Sequence, residues 1–148
     1  MKVKHLLFSM IAAAFLTSAM SVDNTLEVGK KAPKIETISG TNVGYDANSE
    51  SKTKLISFWT PKKPASRINN RNLSLKYGSE NQENIEFISI CTDEDVALMN
   101  EVMKLDGIAP ESVYAYHDIS PRVFKDYGAE DNPKAFLISN DGKIISIL

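Results

Sequence analysis

The residues of this chain that could do chemistry gather in one short stretch, Lys62-Lys63-Pro64-Ala65-Ser66-Arg67, and at two points downstream, Cys91 and the pair His117-Asp118. A serine nucleophile needs a base in hydrogen-bond reach and a group that orients the base, and the sequence identifies neither for Ser66. A Schiff-base lysine needs burial to lower its pKa, whereas Lys63 lies between Lys62 and Arg67 with no sign of burial. Zinc takes three or four Cys, His or carboxylate ligands. Beyond residue 21 the chain has one cysteine and one histidine, so neither a metal site nor a cofactor is expected. His117 with Asp118 reads as a polar pair at a strand end. Two readings of the cationic stretch stay open: Lys62 and Lys63 swing freely into solvent, or together with Arg67 and exposed N–H groups at a helix start they hold an acidic partner or small anion.

The elements that position this stretch follow from hydrophobic patterning. Ile56, Phe58 and Trp59 favour a buried strand, and Pro61 and Pro64 end it because neither has an N–H to give. Pro64 suits the first turn of a helix, which should begin near Lys63, run to about Tyr77 and end at Gly78. Asn69, Asn70 and Asn72 are poor helix formers, so packing must carry that helix. Ile85 to Cys91 reads as a second buried strand. Thr92-Asp93-Glu94-Asp95 then opens a helix in the manner of a capping box, with Val96, Met99, Val102 and Met103 on one face and Gly107 at its end. Val113 to Tyr116 is a short strand, and Ser120 to Tyr127 a helix with Ser-Pro at its start. Residues 131–148 form a proline-led strand, an Asn140-Asp141-Gly142 turn and a partner strand. Upstream, Ile35 to Val43 with a turn at Gly40 reads as a hairpin, and residues 46–52 as a polar loop.

Lys2 and Lys4 precede an apolar run from Leu6 to Leu16 and a small-residue stretch ending at Ser21. As a helix those eleven residues would span about 16 Å, roughly half a bilayer core, so they make a poor anchor and read instead as a secretory signal peptide. Cleavage is expected after Ala19 or Ser21. Residues 1–21 are thus signal peptide, 22–28 linker, and 29–148 one domain, since fewer than 130 residues support a single core. With 17 basic and 19 acidic residues nothing points to nucleic acid. The lone Cys91 in an exported chain excludes an intramolecular disulfide.

The segment Phe58-Trp59-Thr60-Pro61-Lys62-Lys63-Pro64-Ala65-Ser66-Arg67 resembles the active-site segment of thioredoxin-like thiol-disulfide oxidoreductases, Phe-Trp-Ala-Thr-Trp-Cys-Pro-Pro-Cys-Arg. Phe58, Trp59 and Arg67 agree, while Lys63 and Ser66 stand where the family has its two cysteines. Gly29-Lys30-Lys31-Ala32-Pro33 resembles the N-terminal signature of TlpA-type proteins and peroxiredoxins. Pro133-Lys134-Ala135-Phe136-Leu137-Ile138 resembles the family's Pro-Thr-x-Phe-Leu-Ile segment, whose proline is cis; without the resemblance Pro133 would be assigned trans. A peroxiredoxin cysteine is excluded, because the position seven residues after Pro61 is Ile68.

The resemblance covers residues 29–148 and implies a thioredoxin-like α/β fold: a central mixed sheet flanked by helices, with an N-terminal hairpin extension. The family's C-terminal helix is missing after the last hairpin, which is expected to leave Ile144, Ile145, Ile147 and Leu148 uncovered, for a partner, a homodimer contact or a loop. Disulfide exchange needs an attacking thiolate and a resolving thiol, and Lys63 and Ser66 supply neither. Two function classes follow. The first is a periplasmic or secreted, redox-inactive module that binds a peptide or acidic protein over an edge formed by Trp59, Lys62, Lys63, Arg67 and Pro133. The second is a monothiol oxidoreductase or antioxidant protein using Cys91, with His117 as its base.

Overall fold

The computed structural model describes residues 25–44, 52–78 and 84–148. The signal peptide expected over 1–21 and most of the 46–52 loop lie outside these residues. The centre of the fold is β1 (Thr53–Trp59), whose last five residues are all buried. A strand covered on both faces reads as a continuous apolar run rather than an alternating one, and Leu55 to Trp59 is such a run, interrupted only by Ser57. The chain then crosses through α1 (Pro64–Tyr77) to β2 (Ile85–Cys91). β1 and β2 pair in parallel, with Ser57 beside Ser89 and Trp59 beside Cys91. After β2 come α2 (Val96–Asp106), the two-residue β3 (Val113–Tyr114) and α3 (Pro121–Tyr127), and the chain closes with β4 (Ala135–Ile138) and β5 (Ile144–Ile147). The five-stranded mixed sheet has the order β3-β2-β1-β4-β5, with β4 antiparallel to both β1 and β5.

Alternation along β1 divides the core in two. Ile56 and Phe58 point to the face covered by α3 and pack with Val123, Phe124 and Tyr127. Leu55 and Trp59 point to the other face: Leu55 meets Leu73 and Tyr77 of α1, and Trp59 meets Met99, Val102 and Met103 of α2. Phe124 is fully buried, worth about 1.5–3 kcal/mol for one such side chain. By contrast α1 buries a single residue across its 14 positions, Asn70. Asn70 Oδ1 accepts from Ser89 Oγ at 3.0 Å, while its Nδ2 is enclosed with no partner.

Several expectations are revised here. The hairpin at Ile35 to Val43 is present but short, a Glu36–Asn42 bridge flanked by the Thr37 N–H to Thr41 and Val43 N–H to Ile35 carbonyl hydrogen bonds around Gly40, whose φ of 85° suits the turn. Val96 is 37 % exposed, so the buried face of α2 is Met99, Val102 and Met103. Tyr116 leaves β3 and joins a short 3-10 turn with His117 and Asp118. Of the four residues expected to lie uncovered at the C-terminus, Ile144 is 1 % exposed and Ile147 packs against the main core. That leaves Ile145 and Leu148, at 45 % and 54 %, because a register shift between Leu137 and Ile138 turns Ile144 inward.

Candidate functional site

The site candidates of the sequence lie where β1 runs into α1. Lys63 is the N-cap of α1, with extended backbone and no side-chain cap, and Pro64 follows it in the first turn. Ser66 Oγ accepts the Thr60 N–H at 3.1 Å. Its hydroxyl therefore ties the strand end to the helix start, in place of any nucleophilic arrangement.

Each cation is engaged. Lys62 Nζ lies 3.0 Å from both carboxylate oxygens of Asp93. That hydrogen bond, and then the Asp93 charge, raises the Lys62 pKa. Burial pushes the Asp93 carboxyl up, but the Asp95 N–H and Lys62 outweigh burial and the net shift is down. Asp93 also accepts from Thr60 Oγ1 at 3.4 Å. Arg67 is bound fork to fork by Asp106, Nε to Oδ2 at 2.8 Å and Nη2 to Oδ1 at 2.7 Å, a pairing that fixes both side chains. Lys63 Nζ donates to the Asp131 carbonyl at 3.0 Å, which brings Lys63 beside the Asp131-Asn132-Pro133 turn.

Trp59 is not part of an exposed edge. It is 0 % exposed, its ring is covered by α2, and its Nε1 has no partner. A two-faced central strand leaves its last residue no route to solvent once α2 is docked. Pro133 is half-buried and its peptide bond is trans; among the described residues no peptide bond is cis. Lys62, Lys63 and Pro133 thus share one end of the sheet, while Trp59 and Arg67 are tied into the packing between β1, α1 and α2.

Cys91 is also 0 % exposed, in the same cluster as Trp59 and Met103, and its Sγ contacts the Asp93 carbonyl at 3.8 Å. Burial pushes the thiol up to about 11, the opposite of what an attacking thiolate needs. His117 is exposed and its ring contacts Tyr116, so it is not a base for that thiol. No group of three or more His, Cys, Asp or Glu that could hold a metal occurs among the described residues.

Comparison with known proteins bears on what this frame is. No family model matches the chain. The thiol-disulfide oxidoreductase ResA of Bacillus cereus is 28 % identical across 98 % of this chain and 88 % of its own length. ResA of Bacillus thuringiensis is 27 % identical with the same coverage. A thioredoxin-like protein of Parabacteroides distasonis superposes with a TM-score of 0.68 over 82 % of this chain and 87 % of its own, at 24 % identity. The chain has the thioredoxin-like fold and is similar in sequence to thiol-disulfide oxidoreductases. The thioredoxin domain of a Bacteroides vulgatus thiol-disulfide oxidoreductase, at 19 % identity and a TM-score of 0.61 over 83 % of this chain and 89 % of its own, shares the fold. Within the thioredoxin-like frame, this chain has one cysteine, and no described helix is long and apolar enough to cross a membrane.

Asp93 and Asp106 are the residues that sequence reading missed. Asp93 was absorbed into a capping signal that Asp95 fulfils by accepting the Leu98 N–H. Asp106 carried a usable clue: an acid in the last turn of a helix opposes the macrodipole unless a cation meets it.

Proposed function

We propose that the chain is an exported, redox-inactive thioredoxin-fold module that binds a protein partner at the sheet end around Lys62, Lys63 and Pro133. The observation that carries this reading is the state of its only thiol, enclosed between β2 and α2 with its pKa raised to about 11. Lys63 and Ser66 occupy the positions that the resemblance assigns to the reactive cysteines, and Ser66 is engaged in a backbone hydrogen bond. The carboxylates on Lys62 and Arg67 reduce the charge left for an acidic partner, so recognition there rests on the Asp131-to-Pro133 turn and Lys63 as an extended peptide lies across them.

The monothiol alternative needs Cys91 to reach a substrate, which its burial opposes. An insulin-reduction assay with dithiothreitol on the wild-type protein and on Cys91→Ser tests the reading. Both should run at the background rate. Turnover above background that disappears in Cys91→Ser, with the variant's fold intact by circular dichroism, overturns it.

A further inference from the structure

The outer side of α1 carries a stripe that neither the core nor the sheet end uses. Pro64, Ile68, Arg71 and Leu75 recur at helical spacing along one side of the helix. Ile68 is 58 % exposed and Leu75 59 %. Beside the first turns of this stripe lies a groove of about 400 Å³, walled by Pro61, Pro64 and Ile68 on one side and by Leu105 of α2, 74 % exposed, on the other. Single exposed aliphatic residues are ordinary, but a run of them around a groove marks an interaction surface.

The charge of this surface has one sign. α1 contains Arg67, Arg71 and Lys76 and no acidic residue, in a chain whose net charge is −2. The one carboxylate at the groove, Asp106, is bound in both its oxygens by Arg67. Arg71 remains at the rim as a positive charge with no ion pair among the described residues, near enough to help depress Asp106. A second copy docking by the same face would bring two helices that both carry basic and no acidic residues together, which like-charge repulsion opposes.

We propose that the α1–α2 groove docks an acidic amphipathic helix of another protein. Its aliphatic side chains lie along Ile68, Leu75 and Leu105, and its carboxylates pair with Arg71. The inference rests on the reading of the chain as a binding module, but it uses a different surface, so the two can fail separately.

The probe is a 15-residue alanine-based helical peptide with leucines along one face and glutamates flanking them. Its controls replace the glutamates with lysine or the leucines with serine. Each is titrated into the full ¹⁵N-labelled protein and followed by amide chemical shifts. The Leu/Glu peptide should perturb Ile68, Arg71 and Leu105, and both controls should lose the effect. Ile68→Asp should weaken binding about tenfold or more, and Arg71→Glu about fivefold while gaining binding of the lysine peptide. No perturbation at millimolar peptide, equal perturbation by both charge signs, or shifts confined to Lys63 and the 131–134 turn would overturn the proposal. So would sedimentation showing a dimer that Ile68→Asp dissociates, since the groove would then belong to a second copy. If insulin is reduced while the groove still binds the peptide, the redox-inactive reading alone falls.

Discussion

Arg67 and Asp106 join the first turn of α1 to the last turn of α2 through two parallel hydrogen bonds of 2.8 and 2.7 Å. Each charge sits at the unfavourable end of its own helix dipole, and the pair compensates both. Asp106 is held below its usual 3.8, first by the Arg67 hydrogen bond. Because its folded pKa is depressed, its contribution is complete above the unfolded value and is lost as pH falls through the folded one. Urea unfolding should therefore show stability dropping below about pH 4, and Asp106→Asn should flatten that drop while lowering stability at pH 7. An Asp106→Asn variant with the wild-type pH slope would refute the linkage.

The two lysines before α1 should behave differently although both are exposed. Lys62 faces the buried carboxylate of Asp93, so Lys62→Glu brings two like charges together at a group that cannot leave. Lys63 Nζ donates to a backbone carbonyl and has no ion pair among the described residues. The expected result is a clear fall in melting temperature for Lys62→Glu and little change for Lys63→Glu. Trp59, the only tryptophan and fully buried, supplies the fluorescence signal. Equal melting temperatures for the two variants would mean that the Lys62–Asp93 pair is not formed in solution.

Cys91 should be silent towards thiol reagents in the native protein. Its folded pKa, about 11 against 9.0 unexposed to burial, favours the neutral thiol, so the associated stability is present below pH 9 and is lost as pH rises through the folded value. A disulfide-exchange reagent at pH 8 should titrate no thiol in the folded chain and one in guanidinium. Replacing this enclosed sulfur by a hydroxyl in Cys91→Ser should cost about 1–3 kcal/mol, read from urea midpoints. Rapid labelling of the folded protein would show that β2 and α2 part more easily than their packing indicates.

Lys63→Cys together with Ser66→Cys should create a reducible disulfide. The N-cap and the third helical position of α1 lie one turn apart, and a helix start favours a thiolate at the first of them. Oxidised and reduced forms should separate by alkylation and gel shift, at the cost of the Thr60-to-Ser66 hydrogen bond. A double variant that folds but never oxidises would place the family's cysteine positions elsewhere in this segment.

The sequence made the strands and helices legible because their signals are local. The apolar run from Ile56 to Trp59 and the prolines that end it predicted β1 and the start of α1, and Ile85–Cys91 emerged with the bounds expected. Gly107 ends α2 with a φ of 67°, as a left-handed C-cap should. What was illegible depends on contacts far apart in the chain. Trp59 was read both as a buried-strand residue and as part of the binding edge, because nothing near it reveals that Met99, Val102 and Met103 will cover it. Lys62 and Arg67 were read as free cations because their carboxylates lie 31 and 39 residues away. A pattern of charges along a helix predicts its exposure, but not which charges find partners.

Asn70 bears on the order in which the molecule comes apart. Asn70 is the one fully buried residue of this 14-residue helix, its Nδ2 has no partner, and the apolar contacts of α1 with the sheet come from the half-buried Leu73 and Tyr77, so little apolar area holds the helix down. Its backbone N–H groups should exchange with deuterium well before those of β1 and β2, where five consecutive residues of each strand are enclosed. The helix that begins at Lys63 is then the first part of the protein to lift away, and the sheet beneath can keep its order while the end of β1 changes shape.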